Sequence, residues 1–173
     1  MKVILIIMMG LPFSGKSTLA QRLSEALYIS ILSYDNDIYA IYREKVPPGT
    51  SSAKEFDMIE SIAREQISEK LISRQSLIYD DLCLEREDRQ KLILLAQACN
   101  ALPIFIHVDT PVAVIEQRRK SNIKLPNRNH LPSSKLKLDI SLLQSPGPEE
   151  NAIVVKPETS LKEILKAIYA KGY

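Results

Sequence analysis

An unbroken apolar run, Val3 to Met9, leads straight into the stretch GLPFSGKST at residues 10–18. A short run without polar alternation reads as a strand buried on both faces, which places it inside a parallel sheet covered by helices. Beyond the stretch, Leu19, Leu23, Ala26 and Leu27 follow helical spacing. Gly10-x-x-x-x-Gly15-Lys16-Ser17 between a strand and a helix is the P-loop pattern. The chain has five glycines, and two of them stand here. Glycines let backbone N–H groups curl around a polyphosphate, and the helix N-terminus adds a partial positive charge. Lys16 can reach the β and γ phosphates, Ser17 can offer its hydroxyl to Mg²⁺, and Thr18 lies one residue deeper in the helix. Gly10, Leu11, Pro12, Phe13, Ser14, Gly15, Lys16, Ser17 and Thr18 are therefore expected to hold ATP with Mg²⁺. The competing reading is a chance match at a strand–helix turn, and the flanking elements argue against it.

The rest of the chain continues the alternation. Residues 29–33, 76–80, 103–109 and 151–155 read as further strands. Phe56, Ile59, Ala63, Ile67 and Leu71 line one face of a helix over about 53–72, and Leu92, Leu95, Ala96 and Cys99 one face of another over 87–100. Thr110 is placed to cap a helix with Pro111 in its first position. Leu161, Ile164, Leu165 and Ile168 give the last helix. Strands separated by helices predict an α/β fold with a parallel sheet in three layers. Residues 121–150 hold four of the ten prolines and read as a mobile loop around one short helix.

A length of 173 residues predicts one domain, 1–173. The net charge of +2 points to no particular partner. Cys83 and Cys99 lack metal or redox spacing, so a reduced, cytoplasmic setting is expected. The N-terminal apolar run is too short to span a membrane and lacks a small-residue cleavage site. The sequence carries no signal for an oligomeric state.

Three further groups are candidates for chemistry. Ser33-Tyr-Asp35-Asn-Asp37 follows the second strand on the sheet edge where open parallel sheets bind ligands. A carboxylate there can take a proton from a substrate hydroxyl and orient Mg²⁺-bound water, while Asp35 or Asp37 can equally cap the next helix. Tyr79-Asp80-Asp81 ends the third strand, where an acid can hold Mg²⁺ through water. Asp109 ends the fourth strand, but Asp-Thr-Pro is an ordinary helix start. From Arg118 to Lys137 there are seven basic residues and no acid. Such a segment can close over ATP and neutralise a transferring phosphoryl group, or remain a solvated loop. A nucleic-acid patch fits less well, because the stretch has no aromatic residue for base stacking.

Together the stretches G10-L-P-F-S-G-K-S-T-L-A20, S33-Y-D35, Asp81 followed by E85-R-E-D-R89, and D109-T-P before Arg118 resemble small P-loop kinases. These are grouped with zeta toxins, chloramphenicol phosphotransferase and the kinase domain of phage polynucleotide kinase. The resemblance implies a nucleoside-monophosphate-kinase-like fold with strand order 2-3-1-4-5 and a short lid over 118–138. It implies transfer of the γ-phosphoryl group of ATP to a hydroxyl of a small-molecule substrate. Asp35 matches the general base, and with Ser17 and Asp81 it is expected around Mg²⁺. Arg118 matches a lid arginine. The second lid arginine is not aligned, and Arg119, Asn122 and Arg128 all lie near, with Arg119 taken beside Arg118 as catalytic. Two departures stand out. Phe13 replaces the glycine usual in relatives, and Leu82-Cys83 replaces the Thr-Asn of an Asp-Thr-Asn triplet. The segment 38–60, with V46-P-P-G-T50, reads as a loop that sets the substrate. The alternatives are a polynucleotide 5′-hydroxyl kinase and a nucleotide-binding regulatory or toxin-type protein. In the former case Arg43, Lys45 and Lys54, outnumbered by acids over 36–60, make a poor groove for nucleic acid.

Overall fold

The computed structural model describes residues 2–45, 52–123 and 130–173. Strands β1 (Ile4–Met9), β2 (Ser30–Ser33), β3 (Leu77–Asp80), β4 (Leu102–Val108) and β5 (Ile153–Val155) form one sheet in the order β2-β3-β1-β4-β5. All four pairings are parallel. This is the order the resemblance implied.

The missing alternation in β1 has a direct cause. Every residue of the strand is buried, because both of its faces are covered. Leu5, Ile7 and Met9 turn to one side, with Leu77, Tyr79 and Phe105. There they meet α3 (Ser52–Ile72) and α4 (Arg86–Ala98) through Ile59, Ala63, Ile67, Leu71, Leu92 and Ala96. Ile4, Ile6 and Met8 turn to the other side with Ile78, Ile104 and Ile106. That face is covered by α1 (Lys16–Leu27) through Leu19, Ala20, Leu23 and Leu27, and by α7 (Leu161–Ala170) through Ile164 and Ile168. Burying one such side chain is worth about 1.5–3 kcal/mol, so these two cores hold the sheet together.

A third, smaller apolar cluster lies at the carboxyl end of the sheet. It joins Leu11 of the P-loop, Leu84 after β3, Ile115 of α5 (Val112–Ile123) and Leu136 of α6 (Ser133–Leu142), with Phe13 packed against it. It fixes the P-loop against the two helices that follow β4.

The segment 38–60 departs from the loop reading. After β2 the chain makes a π turn, Tyr34–Ile38, and then α2 (Tyr39–Lys45), and α3 begins at Ser52. Ile38 and Tyr42 are buried against the α3 side of the core, and that burial draws the segment into helix. The whole V46-P-P-G-T50 stretch lies outside the described residues, as does Arg128. Among the described residues no helix is long and apolar enough to cross a membrane.

Candidate active site

Two glycines set the shape of the loop after β1. Gly10 has φ +144°, and a Cβ there would come within 2.8 Å of the Val108 carbonyl oxygen. Gly15 has φ +104° and caps α1. A side chain at either position would be strained. The loop is tied in from three sides. The Gly10 N–H donates to the Leu82 carbonyl at 3.0 Å. The Thr110 hydroxyl donates to the Ser14 carbonyl at 2.9 Å. Arg118 Nη1 donates to the Phe13 and Ser14 carbonyls at 2.9 and 3.0 Å. Thr110 thus supports the P-loop rather than capping a helix, and α5 starts after Pro111.

Phe13 takes the left-handed conformation, φ +62°. Such a backbone favours glycine and costs an ordinary residue about 1–2 kcal/mol. The cost is offset by apolar contact, since the ring rests on the third cluster.

Lys16 is almost completely buried and donates to the Leu11 carbonyl at 3.3 Å. Burial pulls its pKa down, and the charges of Asp80, Asp81 and Asp35 oppose that shift. Asp80 is 8% exposed, and its Oδ1 has no hydrogen-bond partner among the described residues. Asp81 is half-buried. It accepts from the Leu82 N–H at 2.7 Å and from the Tyr79 hydroxyl at 3.4 Å. Burial raises its pKa to about 6, with Asp35 and Asp80 adding to the rise and the Leu82 N–H and Lys16 opposing it.

Asp35 and Asp37 part company in the structure. Asp35 is exposed and lines a cleft together with Lys16, Asp80 and Asp81. Asp37 does not line it, and its Oδ2 accepts from the Ser33 N–H at 2.7 Å. Ser33 itself caps the π turn by accepting from the Asn36 N–H at 3.3 Å. Asp37 therefore fastens the turn back to the end of β2.

Arg118 and Arg119 also separate. Arg118 reaches the P-loop, and its guanidinium is 3.6 Å from where a Cβ on Gly15 would lie. Arg119, about 100° further round α5, is buried, paired with Glu116 at 3.0 Å and reaching the Leu131 carbonyl at 3.4 Å. It lines neither cleft. Both arginines belong to a regular helix, not to a loop.

Two clefts meet at Lys16. One, of about 580 Å³, runs from Gly15, Lys16, Ser17 and Thr18 past Arg118 to Arg22, Lys156, Pro157 and Thr159. The other, of about 910 Å³, holds Tyr34, Asp35, Tyr39, Asp80 and Asp81 on one side and Leu131, Lys135 and Leu142 on another. Phe13, Lys16 and Ser17 line both. Among the described residues no three His, Cys, Asp or Glu side chains form a metal-binding group. One hydroxyl and one or two carboxylates suit Mg²⁺, which keeps waters and takes phosphate oxygens for the remaining positions.

Sequence reasoning missed Thr110, because its cap reading was sufficient in itself. It also missed the wall at Lys156 and Pro157, whose only signal is their place just after β5 at the carboxyl edge of the sheet. Arg89 carries no chemical signal within E85-R-E-D-R89, yet it is fully buried.

The AAA-domain family matches residues 5–135. No curated protein matches the chain by sequence. A provisionally assigned kinase from Chloroflexus aurantiacus has the same fold over 100% of both chains, at 22% identity and a TM-score of 0.75. A gluconokinase from Sinorhizobium meliloti covers 97% of this chain and 90% of its own at 22% identity and a TM-score of 0.65. An APS kinase from Mycobacterium tuberculosis, solved with AMPPNP and APS, covers 98% and 97% at 18% identity and a TM-score of 0.68. The five-stranded parallel sheet with helices on both sides is the fold these P-loop kinases share. The chain belongs to the AAA-domain family, in the company of small P-loop kinases.

Proposed function

We propose that this protein is an ATP-dependent phosphotransferase that moves the γ-phosphoryl group to a hydroxyl of a small molecule. One observation carries the reading: Lys16 and Ser17 stand where a cleft at the start of α1 meets a second cleft holding Asp35, Asp80 and Asp81. The first cleft suits a nucleoside triphosphate, its phosphates on the P-loop and its nucleoside along Arg22, Lys156 and Pro157. The second suits the acceptor.

In this reading Asp35 takes the proton of the acceptor hydroxyl as its oxygen bonds to the γ-phosphorus, and the bond to the β–γ bridging oxygen breaks to release ADP. Lys16 neutralises charge on the β and γ phosphates. Arg118, already at the loop tip, does so from the α5 side. Ser17 and Asp80 would hold Mg²⁺, since Asp80 Oδ1 is buried without a partner among the described residues, with Asp81 beside them. When bound, that ion supplies charge neutralisation between the β and γ phosphates.

The P-loop kinase neighbours, among them an APS kinase crystallised with AMPPNP, support the nucleotide half of this reading. The test is transfer of labelled phosphate from ATP to a metabolite pool and, in parallel, to oligonucleotides. Label in the pool, lost with Lys16→Ala while the fold persists, is the expected result. Label in the oligonucleotides alone would favour the end-kinase alternative.

A further inference from the structure

We propose that the acceptor carries, besides the hydroxyl that receives phosphate, an anionic group held by Arg43 and Arg64. A carboxylate and a phosphomonoester share the required chemistry. The proposal rests on the phosphotransferase reading of the same cleft and adds the class of acceptor.

The argument is one of charge pairing. Five Lys and Arg side chains line the acceptor cleft; two of them are held in ion pairs, and a third, Lys16, is the buried P-loop lysine. Lys16 stands among Asp80, Asp81 and Asp35. Lys91 is paired with Asp88 at 3.3 Å, Glu60 at 3.5 Å and Glu87 at 3.7 Å. Lys135 lies 2.8 Å from Asp139. Arg43 and Arg64 form no ion pair among the described residues, although the cleft is rich in acids. The residues outside the described set, 1, 46–51 and 124–129, include no Asp or Glu, so no carboxylate side chain there can pair with them.

Both arginines line the cleft from neighbouring helices. Arg43 lies over the Tyr39 ring, 4.8 Å from its centroid, one helical turn away on α2. Stacking of this kind orients the head group and leaves its N–H donors free. Arg64 shares a face of α3 with Phe56 and Glu60, at four-residue spacing, and all three line the cleft. The two helices are fastened to one another. The Tyr39 hydroxyl donates to Glu55 Oε1 at 3.2 Å, and Lys45 pairs with Glu65 at 3.6 Å. The result is two unmatched guanidinium groups lining one cleft from two tied helices, with Arg43 oriented by its stacking on Tyr39. Their planar donor forks suit a carboxylate or phosphate, whereas a neutral polyol would leave the charges unmatched.

The test uses matched probes: glycerol, glycerate and glycerol 3-phosphate, then glucose, gluconate and glucose 6-phosphate. Binding to the full-length protein with ADP and Mg²⁺ is measured by calorimetry, and transfer is measured with labelled ATP. The expected result is that an anionic member binds about tenfold or more tightly than its neutral partner, as one charged hydrogen-bonded pair allows. The carboxylate and phosphate arms identify the source of the charge. Arg43→Gln and Arg64→Gln, singly and together, should abolish that preference while ATP affinity and thermal melting stay at the wild-type level. A neutral member bound or phosphorylated equally well overturns the proposal and leaves the phosphotransferase reading intact. So does an anion preference that survives in both variants, or no binding of any probe by protein that still binds ADP. Anion binding through the arginines without transfer to any compound keeps the proposal and removes the phosphotransferase reading.

Discussion

Arg89 and Glu150, 61 residues apart, form a fully buried two-pronged ion pair: Nε to Oε1 at 2.5 Å and Nη2 to Oε2 at 3.0 Å. Arg89 Nη1 also donates to the Cys83 and Leu84 carbonyls at 3.1 and 2.8 Å, and Glu150 Oε2 accepts from the Gly147 N–H at 2.8 Å. One guanidinium thus binds the segment after Asp80 and Asp81 to the turn that feeds β5. Removing one member of a buried pair strands the other charge, at about 3–5 kcal/mol. Arg89→Met is expected to lose that much in urea unfolding. Arg89→Met combined with Glu150→Leu is expected to lose clearly less, and a double mutant no better than the single would argue that packing, not charge, dominates here.

Asp81 makes stability depend on pH in the opposite sense from most carboxylates. Its pKa rises from 3.8 to about 6 on folding, so between those values the folded protein binds more protons than the unfolded chain. Stability through this group is therefore greatest below pH 3.8 and is lost as pH rises through 6. Glu150, whose pKa falls below 4.5 because its hydrogen bonds to Arg89 and Gly147 outweigh burial, acts the other way and loses its contribution on acidification below 4.5. Asp81→Asn keeps an acceptor for the Leu82 N–H but removes the charge. Without Mg²⁺ the variant should be more stable than wild type at pH 7, with the gain shrinking toward pH 4. Denaturant titrations at the two pH values decide it, and an equal gain at both would exclude ionisation as the cause.

Phe13 offers two substitutions with different costs. Alanine loses the ring's contact with the Leu11, Ile115 and Leu136 cluster and keeps the left-handed strain. Glycine loses the contact and the strain together. Phe13→Gly should therefore be the more stable of the two by about 1 kcal/mol, read from denaturant midpoints. Both should bind ATP more weakly than wild type, because the loop tip is released from α5 and α6. Equal midpoints would mean that the neighbouring backbone relaxes in the alanine variant.

The parts of this site that a sequence shows are those fixed by local rules. The apolar run of β1 and the two glycines of the loop signal their conformation by residue type alone, so strand, loop and helix were all readable. Asp35 was readable as one of two acids, but only the turn geometry separates it from Asp37. Arg118 and Arg119 are adjacent and chemically identical. Which one meets the loop depends on the rotation of α5, set by Ile115 packing into the third cluster. Arg89 was opaque for a different reason. An arginine is ordinarily exposed, and its burial depends on a partner 61 residues away that no local pattern announces.

The last prediction separates the two acids after β2. Asp35 is exposed and lines the acceptor cleft beside Lys16 and Asp81. Asp37 holds the Ser33 N–H at 2.7 Å and lines no part of the cleft. If Asp35 is the base, Asp35→Asn keeps the shape and removes the proton acceptor, so kcat should fall by about 10²-fold or more while ATP affinity holds. Asp37→Asn retains a side-chain oxygen for the Ser33 N–H, so stability should change by about 1 kcal/mol or less and the rate by little. Asp37→Ala goes further, leaving that N–H without its partner, and should loosen the π turn that carries Asp35. Its kcat should then fall by less than in Asp35→Asn and be accompanied by a lower melting temperature. Turnover for each variant, with ATP affinity by calorimetry and melting by circular dichroism, distinguishes the roles. Normal turnover in Asp35→Asn beside an inactive Asp37→Asn would reverse the assignment and make Asp37 the group that meets the acceptor.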